Sequence, residues 1–398
     1  MKKKLLFIII IVVIIIASFF IYFKYKNQKT DSDSILRLNF FPFGENNQDN
    51  NKPNNLVKNI TDDLNNPREE LYRVGDFEIA GFDVININNK YSVIFSDKKN
   101  GNIYSWSLEN RELTRLSNST ILTPINTQVV TDKDQMVVII KSVLAKNPLY
   151  SYIKMPIETI ELKNKNTENI RPITLPPSYK LVKTSSSTAF SLEIFNDGVG
   201  IFSTKPGFTQ KEQIFTSPFT DWVISPTSEN TLFLTNKPSK QVSGFSYKIE
   251  PNNKLVSILK NLPGLIILPS PDGKKILYSF AVGQGIETRV YDLITKNTVK
   301  ILKPTLVDKC DWMDDSQYII CAIPKKVPVA SYPDDWYKGI VSFNDDIMAI
   351  DINNTLNVDL SLKTGGMDVG LIKEEDEGRL IIFQNKNDNS LWVNEFND

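Results

Sequence analysis

The sequence of 398 residues contains no histidine. It therefore lacks the commonest general base of enzymes, the usual imidazole ligand of metal sites, and any Ser-His or Cys-His pair. It also has no G-x-S-x-G turn and no glycine-rich phosphate loop. These absences predict a protein with no catalytic residue and no cofactor.

Neither sign of charge is in excess, since 46 Lys and Arg residues balance 46 Asp and Glu residues. The basic residues are scattered, so no patch or overall field favours nucleic acid or an acidic surface. Acidic pairs such as Asp314-Asp315 and Asp345-Asp346 lack the spacing of a calcium-binding loop. We therefore expect no nucleic-acid, nucleotide or metal ligand.

Long apolar runs are also absent, except at the start of the chain. Leu5–Phe23 is nineteen residues long and uncharged, and as a helix it would span roughly 28 Å, close to the hydrocarbon core of a bilayer. A cleaved signal peptide is the alternative, but its apolar region is shorter and ends at small residues, whereas bulky side chains follow Ser18. The pattern predicts one transmembrane helix, an uncleaved signal anchor, in residues 1–26.

Lysines flank both ends of this segment, so the positive-inside rule does not orient it. A cytoplasmic tail of only four residues favours an N-in, C-out topology, with the bulk of the chain outside the cytoplasm at the cell membrane. Residues 27–70 are polar, which predicts a flexible tether because too little apolar surface is present to offset the entropy of ordering. Ile35–Phe43 is the apolar exception and could dock as a strand or plug.

From Leu71 onward the pattern is strand and turn, and no long window keeps a helical period. Its clearest unit is Ile267–Phe280, in which a Ser-Pro-Asp-Gly turn separates two apolar runs and predicts an antiparallel hairpin. Six weaker copies recur at a period of about 45 residues: Val84–Phe95, Val129–Ile140, Ser191–Ser203, Val223–Leu234, Asp311–Cys321 and Val369–Phe383. Seven such units predict an all-β fold, a β-propeller of seven four-stranded blades over residues 71–398.

A β-sandwich or two smaller β domains are the alternatives, because evenly spaced short strands suit those as well. Six or eight blades are also compatible with the spacing. The last copy has only three clear strands, so we expect an N-terminal strand to complete the ring and cover its edge. Leu71–Ile79 or Ile35–Phe40 could supply it.

The segment Ser270–Tyr278, SPDGKKILY, resembles the WD40-like repeat of bacterial TolB-type propellers, which also builds the propeller domains of prolyl-oligopeptidase relatives. Ser225-Pro226 matches part of the motif, and the other copies retain the hairpin pattern without the residues of the motif. The resemblance implies an extracytoplasmic scaffold domain. It carries over no catalytic residue, because the motif encodes a turn and the chain has neither a nucleophile elbow nor room for a hydrolase domain after the propeller.

The two cysteines, Cys310 and Cys321, lie symmetrically about the turn of the sixth copy. Directly opposed residues of an antiparallel pair lie within disulfide reach, so we expect a bridge outside the cytoplasm. Because it closes a short loop, it would add a few kcal/mol at most. Two small buried residues without a bond are the alternative.

The insertion Val327–Asp346 interrupts the sixth copy and is a long aromatic loop. Aromatic faces beside charge are typical of recognition loops, so six residues are candidates for binding a partner: Tyr332, Asp334, Asp335, Trp336, Tyr337 and Phe343. The alternative is that the aromatics pack the loop against its blade and that the acidic pair caps a turn.

The leading hypothesis for function is a non-catalytic binding or scaffolding module of the cell envelope with a protein or glycan partner. The competing class is an envelope enzyme, a lyase or hydrolase that uses Asp, Glu, Tyr or Arg around the propeller channel. Inward-facing carboxylates with strongly shifted pKa values would favour it. A sensory ectodomain is the third hypothesis, and the four-residue tail disfavours it because no output domain is present on the cytoplasmic side.

Overall fold

The structure is a computed structural model that describes residues 70–396, apart from residues 145–146, 161–170, 186, 251–252 and 354–357. The predicted anchor, the candidate strand Ile35–Phe43 and all but the last residue of the predicted tether lie outside the described residues. No helix within the described ranges is long and apolar enough to cross a membrane.

The described residues form seven antiparallel sheets of four strands each, the blades of a β-propeller. The strands, numbered in chain order, are β1 Glu70–Arg73, β2 Ile79–Ile87, β3 Lys90–Asp97, β4 Ile103–Ser107, β5 Glu112–Arg115, β6 Pro124–Asp132, β7 Gln135–Leu144, β8 Asn147–Pro156, β9 Ile173–Thr174, β10 Tyr179–Ser185, β11 Thr188–Phe195, β12 Gly198–Lys205, β13 Thr209–Ser217, β14 Trp222–Pro226, β15 Leu232–Asn236, β16 Ser243–Ile249, β17 Leu255–Pro263, β18 Ile266–Pro269, β19 Lys275–Val282, β20 Gly285–Asp292, β21 Thr298–Lys300, β22 Cys310–Trp312, β23 Tyr318–Pro324, β24 Asp345–Asp351, β25 Val358–Lys363, β26 Val369–Glu375, β27 Leu380–Asn385 and β28 Leu391–Glu395. Blade 1 is β2–β5, and each following blade takes the next four strands, until blade 7 combines β26–β28 with β1. The prediction of an all-β propeller with seven four-stranded blades is confirmed.

Helices are short in the described part of the chain. They include the 3₁₀ helices Ile157–Thr159 and Val307–Lys309 and the four-residue α-helix α1, Asp334–Tyr337. The helix Val307–Lys309 directly precedes β22, and α1 lies in the predicted insertion. Both lie next to the propeller axis.

The hairpin that carries the TolB-type resemblance is β18 with β19 in blade 5. Across its turn the backbone N–H of Ser270 donates to Lys275 O at 2.9 Å, and Gly273 has a φ of 64°, which suits glycine. The Ser270 hydroxyl donates to Asp272 Oδ1 at 2.6 Å, and the same oxygen accepts from Lys274 N–H at 3.0 Å. The turn is therefore stabilised by its own side chains, as the sequence predicts.

Six of the seven predicted copies cover the first hairpin of a blade. Ser191–Ser203 is out of phase, because it covers β11 and β12, whereas the first hairpin of blade 3 is β10 with β11. Asn196, Asp197 and Gly198 form a strong local turn signal between β11 and β12, where Gly198 has a φ of 144°. That signal placed the predicted copy one strand too far along the chain.

The hydrophobic core of the described residues is divided among the interfaces between neighbouring blades. Between blades 1 and 2, for example, Ile94 packs with Val138 and Ile153. Blade 7 meets blade 1 in the same way, through Val393 and Phe95. Each blade is thus stabilised mainly by its neighbours, so a closed ring needs no single central core.

The ring is closed by β1, the outermost strand of blade 7. It runs antiparallel to β28, with Glu70 opposite Glu395, and Tyr72 Oη donates to Glu395 Oε1 at 2.6 Å. The closing strand therefore comes from the first of the two predicted segments, Leu71–Ile79, and begins one residue earlier. It covers an edge of β28 that would otherwise be open to pairing with another chain.

Candidate functional site

The first strands of all seven blades surround a cavity of about 470 Å³ on the propeller axis, called the channel below. Three lysines and three aspartates line it, so its formal charges balance. The first strands supply Asp83 (β2), Gln128 (β6), Lys183 (β10), Asp311 (β22) and Lys373 (β26). Three further residues come from the loop after β15 (Lys237), the 3₁₀ helix Val307–Lys309 (Asp308) and α1 (Tyr337). The channel therefore brings together ionisable side chains from several blades.

Positive charge gathers on the side of the channel formed by blades 2, 3 and 4. Burial lowers the pKa of Lys141, on β7, and the charges of Lys183 and Lys237 lower it further. Burial also lowers the pKa of Lys183, against the opposing effect of Asp308. Within the described residues, the ammonium groups of Lys183 and Lys237 have neither a hydrogen-bond nor an ion-pair partner. An anion near these lysines would offset the repulsion that both exert on Lys141.

Negative charge lies on the opposite side, formed by blades 6, 7 and 1. Lys373 Nζ is 4.0 Å from Asp83 Oδ1, and the charges of Asp311 and Asp83 raise the pKa of Lys373. The backbone N–H of Val129 donates to Asp83 Oδ2 at 2.9 Å, and that of Glu374 donates to Asp311 Oδ2 at 3.1 Å. Burial raises the pKa of Asp311, and Lys373 lowers it in part. These contacts hold the carboxylates in fixed positions.

The insertion reaches the channel through Tyr337. Its Oη donates to Asp308 Oδ2 at 2.5 Å, and 46% of the residue is exposed. Tyr337 is one of the residues that line the channel. Burial there raises the pKa of Tyr337 well above its usual range, with Asp308 adding to the effect. Tyr337 therefore keeps its proton at neutral pH and remains a hydrogen-bond donor.

Two more carboxylates follow Lys373 at the end of β26. Burial raises the pKa of Glu374 to about 8 and that of Glu375 to about 7. The charge of Asp311 contributes to both of these shifts, whereas Lys373 lowers the pKa of Glu375. Carboxylates that titrate near neutrality are typical of enzyme sites, and they keep the competing hypothesis open.

The insertion Val327–Asp346 turns its large aromatic side chains inward. Tyr332, Trp336 and Phe343 are 1%, 3% and 3% exposed. The ring centroids of Tyr332 and Phe343 are 5.8 Å apart, and those of Trp336 and Phe343 are 6.3 Å apart. All three belong to the hydrophobic cluster between blades 5 and 6. Their burial favours the packing alternative over partner recognition for these three residues.

The two aspartates of α1 hold the insertion in place. Asp334 Oδ1 accepts from Ser239 Oγ at 2.9 Å, and its Oδ2 accepts from Lys240 N–H at 2.7 Å, in the loop after β15 of blade 4. Asp335 Oδ2 accepts from Ser331 N–H at 2.7 Å, within the insertion itself. Both carboxylates thus stabilise the loop, and of the six sequence candidates Tyr337 is the one that lines the channel.

The two cysteines form a disulfide in the structure. Cys310 on β22 lies directly opposite Cys321 on β23, with their Cα atoms 4.1 Å apart. Both residues are buried, at 6% and 1% exposed. The bond fixes the first hairpin of blade 6 immediately beside the channel residue Asp311.

The channel residues were not predicted from the sequence, although one feature of the sequence indicates Asp311. Asp311 is an ionisable residue between Cys310 and Trp312, which are buried, in a strand of three residues. Because both faces of a blade pack against neighbouring blades, a charged side chain in an apolar first strand finds a polar environment at the axis. Within the described ranges, no group of three or more acidic or cysteine side chains is arranged to hold a metal ion.

No protein-family model matches the chain, and no curated protein matches its sequence. Solved structures do match. A Kuenenia stuttgartiensis hydrazine synthase chain aligns with a TM-score of 0.54 and 11% identity, over 80% of this chain and 96% of that chain. The β-propeller domain of Cps50 (Swd1) from Myceliophteria thermophila aligns at 0.51 and 10%, over 83% and 100%. What they share is the propeller.

A TolB chain from Acinetobacter baumannii aligns less well, with a TM-score of 0.40 and 10% identity, over 79% of this chain and 78% of that chain. At these identities the likeness shows the fold alone. Because an enzyme and a propeller domain are both among the matches, the fold does not choose between the two classes of function.

Proposed function

We propose that this propeller is a non-catalytic binding module of the cell envelope that takes a carboxylate-bearing part of a glycan or protein into its channel. One observation carries the proposal. Lys183 and Lys237 line the channel, and among the described residues neither ammonium group has a hydrogen-bond or ion-pair contact. Ammonium groups held in a confined space are stabilised by an anion that reaches them.

The rest of the channel complements such a ligand. Its volume of about 470 Å³ lies in the range of small-molecule sites. On the side opposite the unpartnered lysines, Asp83 and Asp311 can accept hydrogen bonds from hydroxyl or amino groups, and Tyr337 adds a hydroxyl. A ligand with a carboxylate at one end and hydroxyl or amino groups at the other would meet complementary charge at both ends.

The proposed location in the cell envelope is inferred from the sequence. Leu5–Phe23 predicts an anchor, and Ser270–Tyr278 resembles extracytoplasmic TolB-type propellers. We therefore expect protease added to intact cells or spheroplasts to digest the domain. Complete protection of the domain, with digestion only in preparations opened to the cytoplasmic side, would reverse the proposed orientation.

Lys183→Gln is expected to weaken the binding of an acidic probe at least tenfold, because a hydrogen bond to a charged group contributes about 1.5–3 kcal/mol. Suitable probes are a trisaccharide of galacturonic acid and a triglutamate peptide, measured by isothermal titration calorimetry. Lys274→Gln is the matched control, since that side chain is 57% exposed and lies outside the channel. If neither probe binds the wild-type protein, or if both variants bind equally well, the channel is not the binding site.

An envelope lyase or hydrolase is the second candidate, and the carboxylates at the end of β26 favour it. Glu375, with a pKa of about 7, could exchange a proton near neutral pH. The same incubations can be analysed by chromatography for shortened probes. Intact probes support a binding module, whereas products that disappear in Glu375→Gln would support the enzyme.

A further inference from the structure

A lysine and two aspartates form a fully buried cluster beneath the insertion. Lys309 ends the 3₁₀ helix Val307–Lys309, and its Nζ lies 2.6 Å from Asp345 Oδ2 and 2.6 Å from Asp368 Oδ1. All three side chains are 0% exposed. The cluster is separate from the channel residues, and it joins the start of β24 in blade 6 to the segment before β26 in blade 7.

The two carboxylates have unequal partners. Asp368 accepts from the indole N–H of Trp336, at 3.1 Å to each oxygen, and from Ser342 Oγ at 3.1 Å. Asp345 Oδ2 accepts from Val369 N–H at 2.8 Å, but its buried Oδ1 has no partner among the described residues. Asp368 is therefore the better stabilised anion, and Asp345 is the better candidate to carry a proton.

The charge of the cluster leads to the same assignment. The fully buried cluster contains one ammonium group and two carboxylates, and the nearby Lys386 acts on Asp368. Lys309 therefore has two carboxylates to compensate, and a charged Asp345 without further compensation in a site closed to water is costly. Burial raises the pKa of Asp345. The walls are aromatic, with Lys309 Nζ 4.5 Å from the ring centroid of Phe343 and 5.2 Å from that of Trp336. Asp345 is thus the carboxyl group on which a proton costs least, and it lies next to the Lys309 ammonium group in a site without solvent.

We infer that Lys309 and Asp345 condense into an intramolecular amide bond, with Asp368 as the group that moves the protons. Asp368 takes a proton from the Lys309 ammonium group, and the free amine attacks Asp345 Cγ. The Nζ–Cγ bond forms and a Cγ–O bond of the protonated carboxyl breaks. The departing hydroxyl leaves as water with a second proton from nitrogen, and Asp368 ends protonated. No oxidant or other reactant is needed.

The position of the three groups accounts for the reaction. Holding a nucleophile against a carboxyl group in one geometry replaces an encounter in solution and removes most of its entropic cost. The N–H of Val369 points at Asp345 Oδ2 and would stabilise negative charge that develops there during attack. Exclusion of water also disfavours hydrolysis of the product.

Peptide mapping of the full-length protein tests the inference. Trypsin does not cleave after an acylated lysine, so reduction and digestion are expected to give a branched peptide in which residues 301–325 are joined to residues 339–363. Its mass should be lower than the sum of the two peptides by one water molecule. Lys211 provides an internal control, since its Nζ is also 2.6 Å from a carboxylate, Glu193, but 34% of the Lys211 side chain is exposed to solvent.

Asp368→Asn keeps the shape of the side chain but removes the proton acceptor, and we expect it to reduce the branched peptide at least tenfold. The digest of the wild-type protein tests for the amide bond between Lys309 and Asp345 even if this variant does not fold. Separate peptides of full mass would show that the cluster is an ion pair only. Loss of water without a branch would indicate a succinimide at an aspartate and would also overturn the inference.

Discussion

Trp336→Ala is expected to lower the free energy of unfolding by about 3–5 kcal/mol. Trp336 is 3% exposed, packs with Phe343, and donates from its indole N–H to the buried Asp368. Truncation would leave a cavity between blades 5 and 6 and remove a hydrogen bond from a carboxylate that water does not reach. Urea unfolding followed by circular dichroism measures the change.

The matched control is Ile340→Ala, in the same insertion, because Ile340 is 67% exposed. It should change stability by less than about 0.5 kcal/mol. The recognition hypothesis makes the opposite prediction for Trp336→Ala, namely a partner affinity reduced more than tenfold with an unchanged thermal midpoint. An unchanged midpoint would therefore argue that the aromatic loop opens in solution.

Glu374→Gln is expected to stabilise the protein at pH 9 by roughly 2–5 kcal/mol and to change stability much less at pH 5. Burial raises the pKa of Glu374 from its ordinary value of 4.5 to about 8. Between these two values the folded protein binds more protons than the unfolded chain, so its stability falls as pH rises. Glutamine removes this cost and can still accept from Gly378 N–H, which contacts Glu374 Oε1.

Unfolding free energies measured from pH 5 to pH 9 test this prediction. The wild-type protein should lose stability across the range, and part of that loss should remain in the variant because Glu375 is also shifted. Glu109→Gln is the control, since Glu109 is 56% exposed and pairs with Lys90 at the surface. Equal slopes for Glu374→Gln and the wild-type protein would show that Glu374 reaches solvent in the folded state.

The architecture could be predicted from sequence because each blade repeats a local signal. The turn of Ser270–Gly273 needs no distant contact, and weaker copies need only an apolar run on each side of a turn. The closing strand was also predictable, since the last copy lacked a fourth strand. The copy Ser191–Ser203 was misplaced because a turn signal predicts a hairpin but does not indicate which hairpin of a blade it is.

The channel and the buried cluster could not be predicted in the same way. Asp83, Lys183 and Asp311 come from different blades, and they share neither a motif nor a fixed spacing. Lys309 and Asp368 are brought together only when blades 6 and 7 pack. Their positions depend on strand register and on the closure of the ring, which are properties of the whole chain.

Pairing of β1 with β28 has a consequence for the order in which the protein can fold as it is made. β1 is the first described strand to be synthesised and β28 is the last, so the seventh blade has no complete sheet until the ribosome has synthesised β28. Blade 6, including Cys310 and Cys321, is complete earlier, and its disulfide can form while the ring is still open. Nascent chains that stop short of Leu391 would keep an unpaired strand edge, a surface that chaperones and proteases can recognise as unfinished.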